Sequence, residues 1–307
     1  MKKAIITLLM TLYFLTSAFS ANTSLRISSF TRNIKANYDL NGNIEITQSI
    51  TLKHKGEALD YFLAISPGSS GLWNNRVVIN GGNQLSYQIY RDSSKTDVLK
   101  SISDNPSANE IITGSFAQSG SFQFSTYTYT IYVPPGQFNL AGVYDDSFDV
   151  SLYSGNLSTY TLEGTKTHSL SVTMPTSLEL SITPSGVPFD DTSFNMNMNF
   201  GILNVGSSRS ADAVIRTNTP YSIFILSEKG GKLTHTDPLI ADIVPYTFTF
   251  NGNTVDLTSP TAQQIITGAT VTSWEGTRYP MNVTIGDYGM ASEGYYSDNL
   301  TITIQAQ

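Results

Sequence analysis

A chain of 307 residues with a formal net charge of −7, 13 % charged residues and no cysteine is long enough for two domains and has no disulfide framework to staple either of them. The acidic balance speaks against nucleic acid or an anionic membrane surface as a partner. Ser, Thr, Asn, Gly and Tyr are abundant and helical periodicity is scarce, which suits an exported all-β protein held by apolar burial and backbone ladders.

The N-terminal stretch "MKKAIITLLMTLYFLTSAFSA" carries two lysines, an apolar run and small residues ahead of Ala21. It predicts a secretory signal over residues 1–20, and no later stretch reaches the length of a membrane span. "NIKANYDL" and "NIEITQSITLKH" alternate as strands around the turn "LNGN". "YFLAIS" then leads into the loop "PGSSGLWNN", followed by "RVVIN", a "GGN" turn and "LSYQIYRD". Residues 92–120 are polar and turn-rich, and are expected to form long loops with short edge strands. "YTYTIYVPPGQFNLAGVYDDSFDVSL" reads as strand, loop, strand. Residues 155–166 form a candidate linker, with the alternative that Tyr160 and Leu162 close the first domain as a last strand. Beyond it come "HSLSVTMP" and "SLELSITP". In "FNMNMNFGILNVG", Phe194, Met196, Met198 and Phe200 alternate with asparagines, predicting one buried strand face in preference to a metal site. "ADAVIRTNTPYSIFIL", "VPYTFTFNG" and the final strands complete a sandwich of roughly seven strands.

The strand–loop–strand pattern occurs twice. Tyr127, Gly142, Tyr144 and Asp146 recur as Tyr279, Gly294, Tyr296 and Asp298 at a constant offset of 152 residues, and the alternating apolar positions coincide. Phe148, Val150 and Leu152 fall on Leu300, Ile302 and Ile304. Such a long repeat points to a duplicated domain, not a solenoid. The expected boundaries are 21–154 for an N-terminal sandwich, 155–166 for the linker and 167–307 for a C-terminal sandwich. The repeated glycines permit positive φ at the loop end, and the repeated aspartates are placed to bond nearby backbone N–H groups. Asp145, Asp146 and Asp149 lie close enough in sequence to suggest calcium, but the D-x-[DN]-x-[DN]-G loop is missing.

No motif supports catalysis, a cofactor or a metal. His54, His168 and His235 show no H-E-x-x-H spacing, "GSSG" at 68–71 lacks the strand-to-helix context of a nucleophile elbow, and paired carboxylates count only where a cleft joins them. Leu72 and Trp73 in one loop, and Phe138 and Leu140 in another, are candidate surface-binding loop tips. They either converge at a free end as a contact surface or fold back as plugs.

"MNFGILNVGSS", "VIRTNTPYSIFIL", "VPYTFTF" and the ending "EGYYSDNLTITIQAQ" make residues 167–307 resemble the spore coat protein U domain, the subunit of archaic chaperone–usher pili. In the first half only "RVVINGGNQLSYQIYRD" and the repeated terminal pattern match. The resemblance implies two immunoglobulin-like sandwiches, the second lacking its last strand, with the Leu300, Ile302 and Ile304 strand bordering a groove filled by a neighbouring pilin subunit. Further implied partners are a periplasmic chaperone, an outer-membrane usher and an abiotic or host surface. The layout resembles a two-domain tip adhesin serving attachment and biofilm formation, exported through the periplasm to the cell surface. The alternatives are a structural pilus or secreted coat subunit, and a carbohydrate-binding sandwich.

Overall fold

The computed structural model describes residues 24–307, so the predicted signal over 1–20 lies outside the described residues. The first half contributes β1 (Ser24–Phe30), β2 (Asn33–Asn37), β3 (Ile44–Gly56), β4 (Leu59–Ile65), β5 (Val77–Asn80), β6 (Asn83–Ser86), β7 (Gln88–Tyr90), β8 (Ile112–Phe116), β9 (Ser119–Val133), β10 (Gly142–Asn156) and β11 (Thr159–Met174). The second contributes β12 (Leu178–Pro184), β13 (Ser208–Thr217), β14 (Tyr221–Ser227), β15 (Lys232–His235), β16 (Ile243–Phe250), β17 (Asn253–Thr254), β18 (Gln263–Ala269), β19 (Thr277–Ile285), β20 (Tyr296–Ser297) and β21 (Leu300–Ala306). Two single-turn 3₁₀ helices, Ile102–Asp104 and Ala108–Glu110, punctuate the long polar connection before β8.

The first sandwich packs a sheet of order β1-β3-β9-β7 against one of order β2-β11-β10-β4-β8, with the β5–β6 hairpin attached to β10. Strict alternation produces its core. On β10, Tyr144, Asp146, Phe148, Val150 and Leu152 are all buried, and they meet Ile50, Leu52, Tyr129 and Ile131 from the facing sheet. The second sandwich pairs β12-β13-β19-β16-β15-β20 with a three-stranded sheet β18-β14-β21 around a separate core that includes Ile215, Ile223, Phe248 and Val283.

Two expectations are corrected. Residues 155–166 are no linker: β10 turns at 157–158 into β11, which pairs with it from Asn156↔Thr159 to Gly142↔Met174. Tyr160 packs edge-on to Tyr153 and Phe62, so the alternative of a closing last strand holds. The first sandwich runs to Met174 and the second begins at Leu178. The second correction concerns Phe194, Met196, Met198 and Phe200, which lie in no strand. Phe194 is 71 % exposed, and only Met198 and Phe200 reach the core. The segment has the side-chain period of a strand but no partner to supply the ladder.

Register also defines two ends of the first sandwich. Gly142 and Val133 lie at the end next to the second domain, where the Ala141 N–H donates to the Asn218 carbonyl at 2.8 Å. Fourteen residue steps along β10, about 46 Å away, three turns gather at the free end. Leu59 pairs with Phe116, Gly56 with Ser119, and Tyr61 with Ser154, which brings the β3–β4, β8–β9 and β10–β11 turns side by side.

Candidate functional site: an open groove and a free end

The two domains differ in one strand position. In the first, β11 bonds to β10 along one edge and to β2, in parallel, along its other edge, with Leu170 opposite Ile34. His168, Leu170, Val172 and Met174 of β11 thereby seal the core between the sheets. In the second, β21 pairs with β14 alone, and its other edge carries no strand among the described residues. The segment 194–203 is likewise unpaired in any sheet, with Ile202 86 % exposed. Met198, Phe200 and Leu203, like Leu300, Ile302 and Ile304, pack against one core while staying only partly buried. Their repeat counterparts Phe148, Val150 and Leu152 are buried to 1 % exposure or less. What separates the two domains is the second edge of β21, whose unpaired backbone donors and acceptors among the described residues favour an added strand.

The repeated aspartates have a shared structural role. Asp146 accepts from the Tyr87 hydroxyl at 2.6 Å, from the Ser69 N–H at 3.0 Å and hydroxyl, and from the Ser147 N–H at 2.7 Å. Asp298 accepts from the Tyr246 hydroxyl at 2.6 Å, the Ser227 hydroxyl at 2.6 Å, and the Lys229 and Asn299 N–H groups. Asp146 ties β10 to a tyrosine and a loop, and Asp298 does the same for the chain just before β21. Burial, reinforced by the carboxylate, raises the pKa of Tyr87, and the same pair of causes raises that of Tyr246. Gly142 and Gly294, at φ +145° and +152°, occupy backbone that disfavours a side chain, and a Cβ on either would meet Asn80 or His235. Tyr144 and Tyr296 donate to the carbonyls of Leu140 and Ser292, each four residues back. Asp145 and Asp149 face away from Asp146 across the pleat, and Asp149 instead takes the Thr167 hydroxyl at 2.6 Å.

The four apolar loop residues do not meet. Trp73 is half-buried on the flank of the first domain, under the Lys100 ammonium at 3.7 Å, while Leu72 beside it is exposed. The loop is anchored by Arg76, a buried cation whose guanidinium donates to the carbonyls of Ser66 and Leu99 and to the Gln88 side chain. Burial lowers its pKa to about 10. Phe138 lies at the opposite end from the three gathered turns, edge-on to Trp274 of the second domain at 5.5 Å, and Arg216 covers Trp274 at 4.1 Å. The loop holding Phe138 and half-buried Leu140 is therefore part of the junction between domains. Exposed apolar residues collect instead at the free end: Phe122, Phe124, Leu157, Tyr160 and Leu162. There a shallow cleft of about 510 Å³ is lined by Tyr61, Phe62, Ile111 and Leu157. Leu157, Tyr160 and Leu162 sat in the stretch read as a linker, and Phe122 and Phe124 in a strand read only from Tyr127 onward.

Comparison with known proteins bears on the first half. A family model described as the Spore Coat Protein U domain matches residues 19–151. Residues 19–151 are thus similar to the Spore Coat Protein U domain. The match falls on the half where the sequence carries only fragments of the pattern quoted for 167–307. No curated protein matches. Among solved structures, the CsuC–CsuE chaperone–tip adhesion subunit complex from Csu pili of Acinetobacter baumannii covers 90 % of this chain and 100 % of its own at 14 % identity and TM-score 0.42. CfaE, the adhesive subunit of CFA/I fimbria of enterotoxigenic Escherichia coli, covers 90 % and 92 % at 12 % identity and TM-score 0.38. The CooA pilin subunit from enterotoxigenic Escherichia coli covers 50 % and 98 % at 16 % identity and TM-score 0.34.

Proposed function

We propose that this protein is a non-enzymatic pilus subunit of the chaperone–usher type, exported through the periplasm to the cell surface and placed at the pilus tip. The observation that carries the reading is the asymmetry between the domains. The first domain closes its own sandwich with β11, whereas in the second the outer edge of β21 carries no strand among the described residues and the segment 194–203 is paired in no sheet. A subunit with one closed and one open domain accepts a strand at one end and presents the other end outward. During export a chaperone strand occupies the groove, and after the usher step a neighbouring subunit's strand replaces it. The exposed aromatic and aliphatic residues at the free end then act as the contact surface with a host or abiotic material, the basis of attachment and biofilm formation. Many tips on one cell turn modest single contacts into firm adhesion.

The test separates assembly from adhesion. Phe124→Ser with Leu157→Ser and Leu162→Ser is expected to leave secretion and pilus display unchanged and to reduce attachment of displaying cells to a hydrophobic surface. Unchanged attachment by normally piliated cells contradicts the adhesive role and favours a structural subunit.

A further inference from the structure

One face of the first domain departs from the acidity of the chain. On the outer side of the β1-β3-β9 sheet, toward the free end, Arg26 stands opposite Lys53 and Lys53 opposite Phe124. The Lys53 ammonium lies 3.7 Å over the Phe122 ring and 5.6 Å from the Phe124 ring, and Lys55 approaches Phe122 at 5.8 Å. None of the three cations takes part in an ion pair among the described residues. From Thr47 to Lys55 on β3, and from Phe122 to Thr128 on β9, every outward side chain is a hydroxyl, a cation or an aromatic ring. Phe124 is 60 % exposed although it belongs to a regular strand.

The geometry points to this face as a binding site for an acidic polysaccharide, a polymer bearing carboxylate or sulfate groups on its sugars. Three strands give a flat strip about 10 Å across, which suits an extended chain better than a compact ligand. Cations beside the rings would pair with the anionic groups, exposed rings would cover the C–H faces of the sugars, and the serine and threonine row would meet sugar hydroxyls. A bilayer fits less well, because insertion needs rings that project beyond the charges, whereas Lys53 lies over Phe122. A nucleic acid carries a much denser line of charge, and the net −7 of the chain opposes it.

The test uses the secreted full chain on immobilised polygalacturonate, dextran, single-stranded DNA and anionic phosphatidylserine vesicles. Expected are retention on polygalacturonate that weakens with salt and no retention on dextran. Lys53→Gln with Lys55→Gln should lower affinity about twenty-five-fold, at about fivefold per cation facing an anionic surface. Phe124→Thr should give a severalfold loss that persists at high salt. Both variants alter outward positions and should melt as the parent does; should the lysine pair fail to fold, Arg26→Gln at the sheet edge should lower retention in the same direction. Retention unchanged by these substitutions, equal retention on dextran, or tighter binding to DNA or vesicles overturns the assignment. The inference rests on the first domain being the adhesive one. Since the assay reads binding by free protein, loss of pilus assembly with polygalacturonate binding intact would sink that reading alone.

Discussion

Replacing Asp146 by alanine removes a carboxylate that is buried and serves three partners. The Tyr87 hydroxyl, 3 % exposed as a residue, loses its acceptor, and the Ser69 and Ser147 donors lose theirs. An orphaned buried hydroxyl costs about 1–3 kcal/mol, and a hydrogen bond to a charged acceptor contributes about 1.5–3 kcal/mol. Since the serine donors can turn to water, the sum is roughly 3–5 kcal/mol against a domain stability of about 5–15 kcal/mol. For a sandwich of this size the first-domain melting transition should fall by about 10 °C. Asp146→Asn keeps an acceptor toward Tyr87 and should cost about half as much. Differential scanning calorimetry of the secreted chain gives the measurement, with Asp298→Ala as the internal reference, since it should move the second-domain transition and leave the first in place. A first-domain shift under about 0.5 kcal/mol for Asp146→Ala would refute the view that the repeated aspartate is a staple and return it to ordinary loop chemistry.

Trp274→Ala should loosen the junction, because Phe138 and Arg216 both lose their contact with the indole. Proteolysis at 175–177 should accelerate while both melting transitions stay within about 3 °C of the parent, and unchanged cleavage would show that the ring does not join the domains. His168, stacked on Phe148 at 5.0 Å and bonded to the Tyr129 hydroxyl, has its pKa lowered by burial, against the opposing pull of the Thr31 backbone and of Asp149. The unfolded chain therefore binds more protons than the folded one below pH about 6.5. First-domain stability should fall as pH drops through that value toward the lowered folded pKa, and His168→Phe should flatten this part of the profile. A donor strand for the second domain should follow the register of β11, with apolar residues opposite Leu300, Asp298, Tyr296 and Gly294, the repeat counterparts of the partners of His168, Leu170, Val172 and Met174. Competition among peptides with that pattern shifted by one residue checks it, since a one-residue slip turns the apolar side chains outward.

Side-chain period was the most legible signal, and it located faces more reliably than ladders. β9 and β10 were readable because one face of each meets the core. The outer half of β11 was not: from Thr159 to Thr167 both faces are exposed or nearly so, and a strand that projects past its core has no alternation to read. The converse failure was Phe194 to Phe200, where alternation exists and hydrogen bonding does not. The mismatch accompanies the unpaired edge of β21, because the strand that completes the ladder in the first domain has no counterpart among the described residues of the second. The aspartate repeat was visible in sequence, but Tyr87 and Tyr246, which make it a staple, lie 59 and 52 residues away from it. Phe138 read as a loop aromatic, and only the folded chain shows that it packs on Trp274 of the second domain.

The most direct test of the open groove is to supply the missing strand in cis. A copy of residues 157–174, the turn and strand that follow β10, is appended after β21 so that it can fold back antiparallel as β11 does. The account predicts a monomeric chain secreted without chaperone, whose second-domain melting temperature rises by more than about 10 °C while the first-domain transition stays put. Protection of the Leu300–Ala306 amides from hydrogen exchange should rise with it. A second-domain transition and exchange pattern unchanged by the appended strand would contradict the account, because it would mean that no strand position is open.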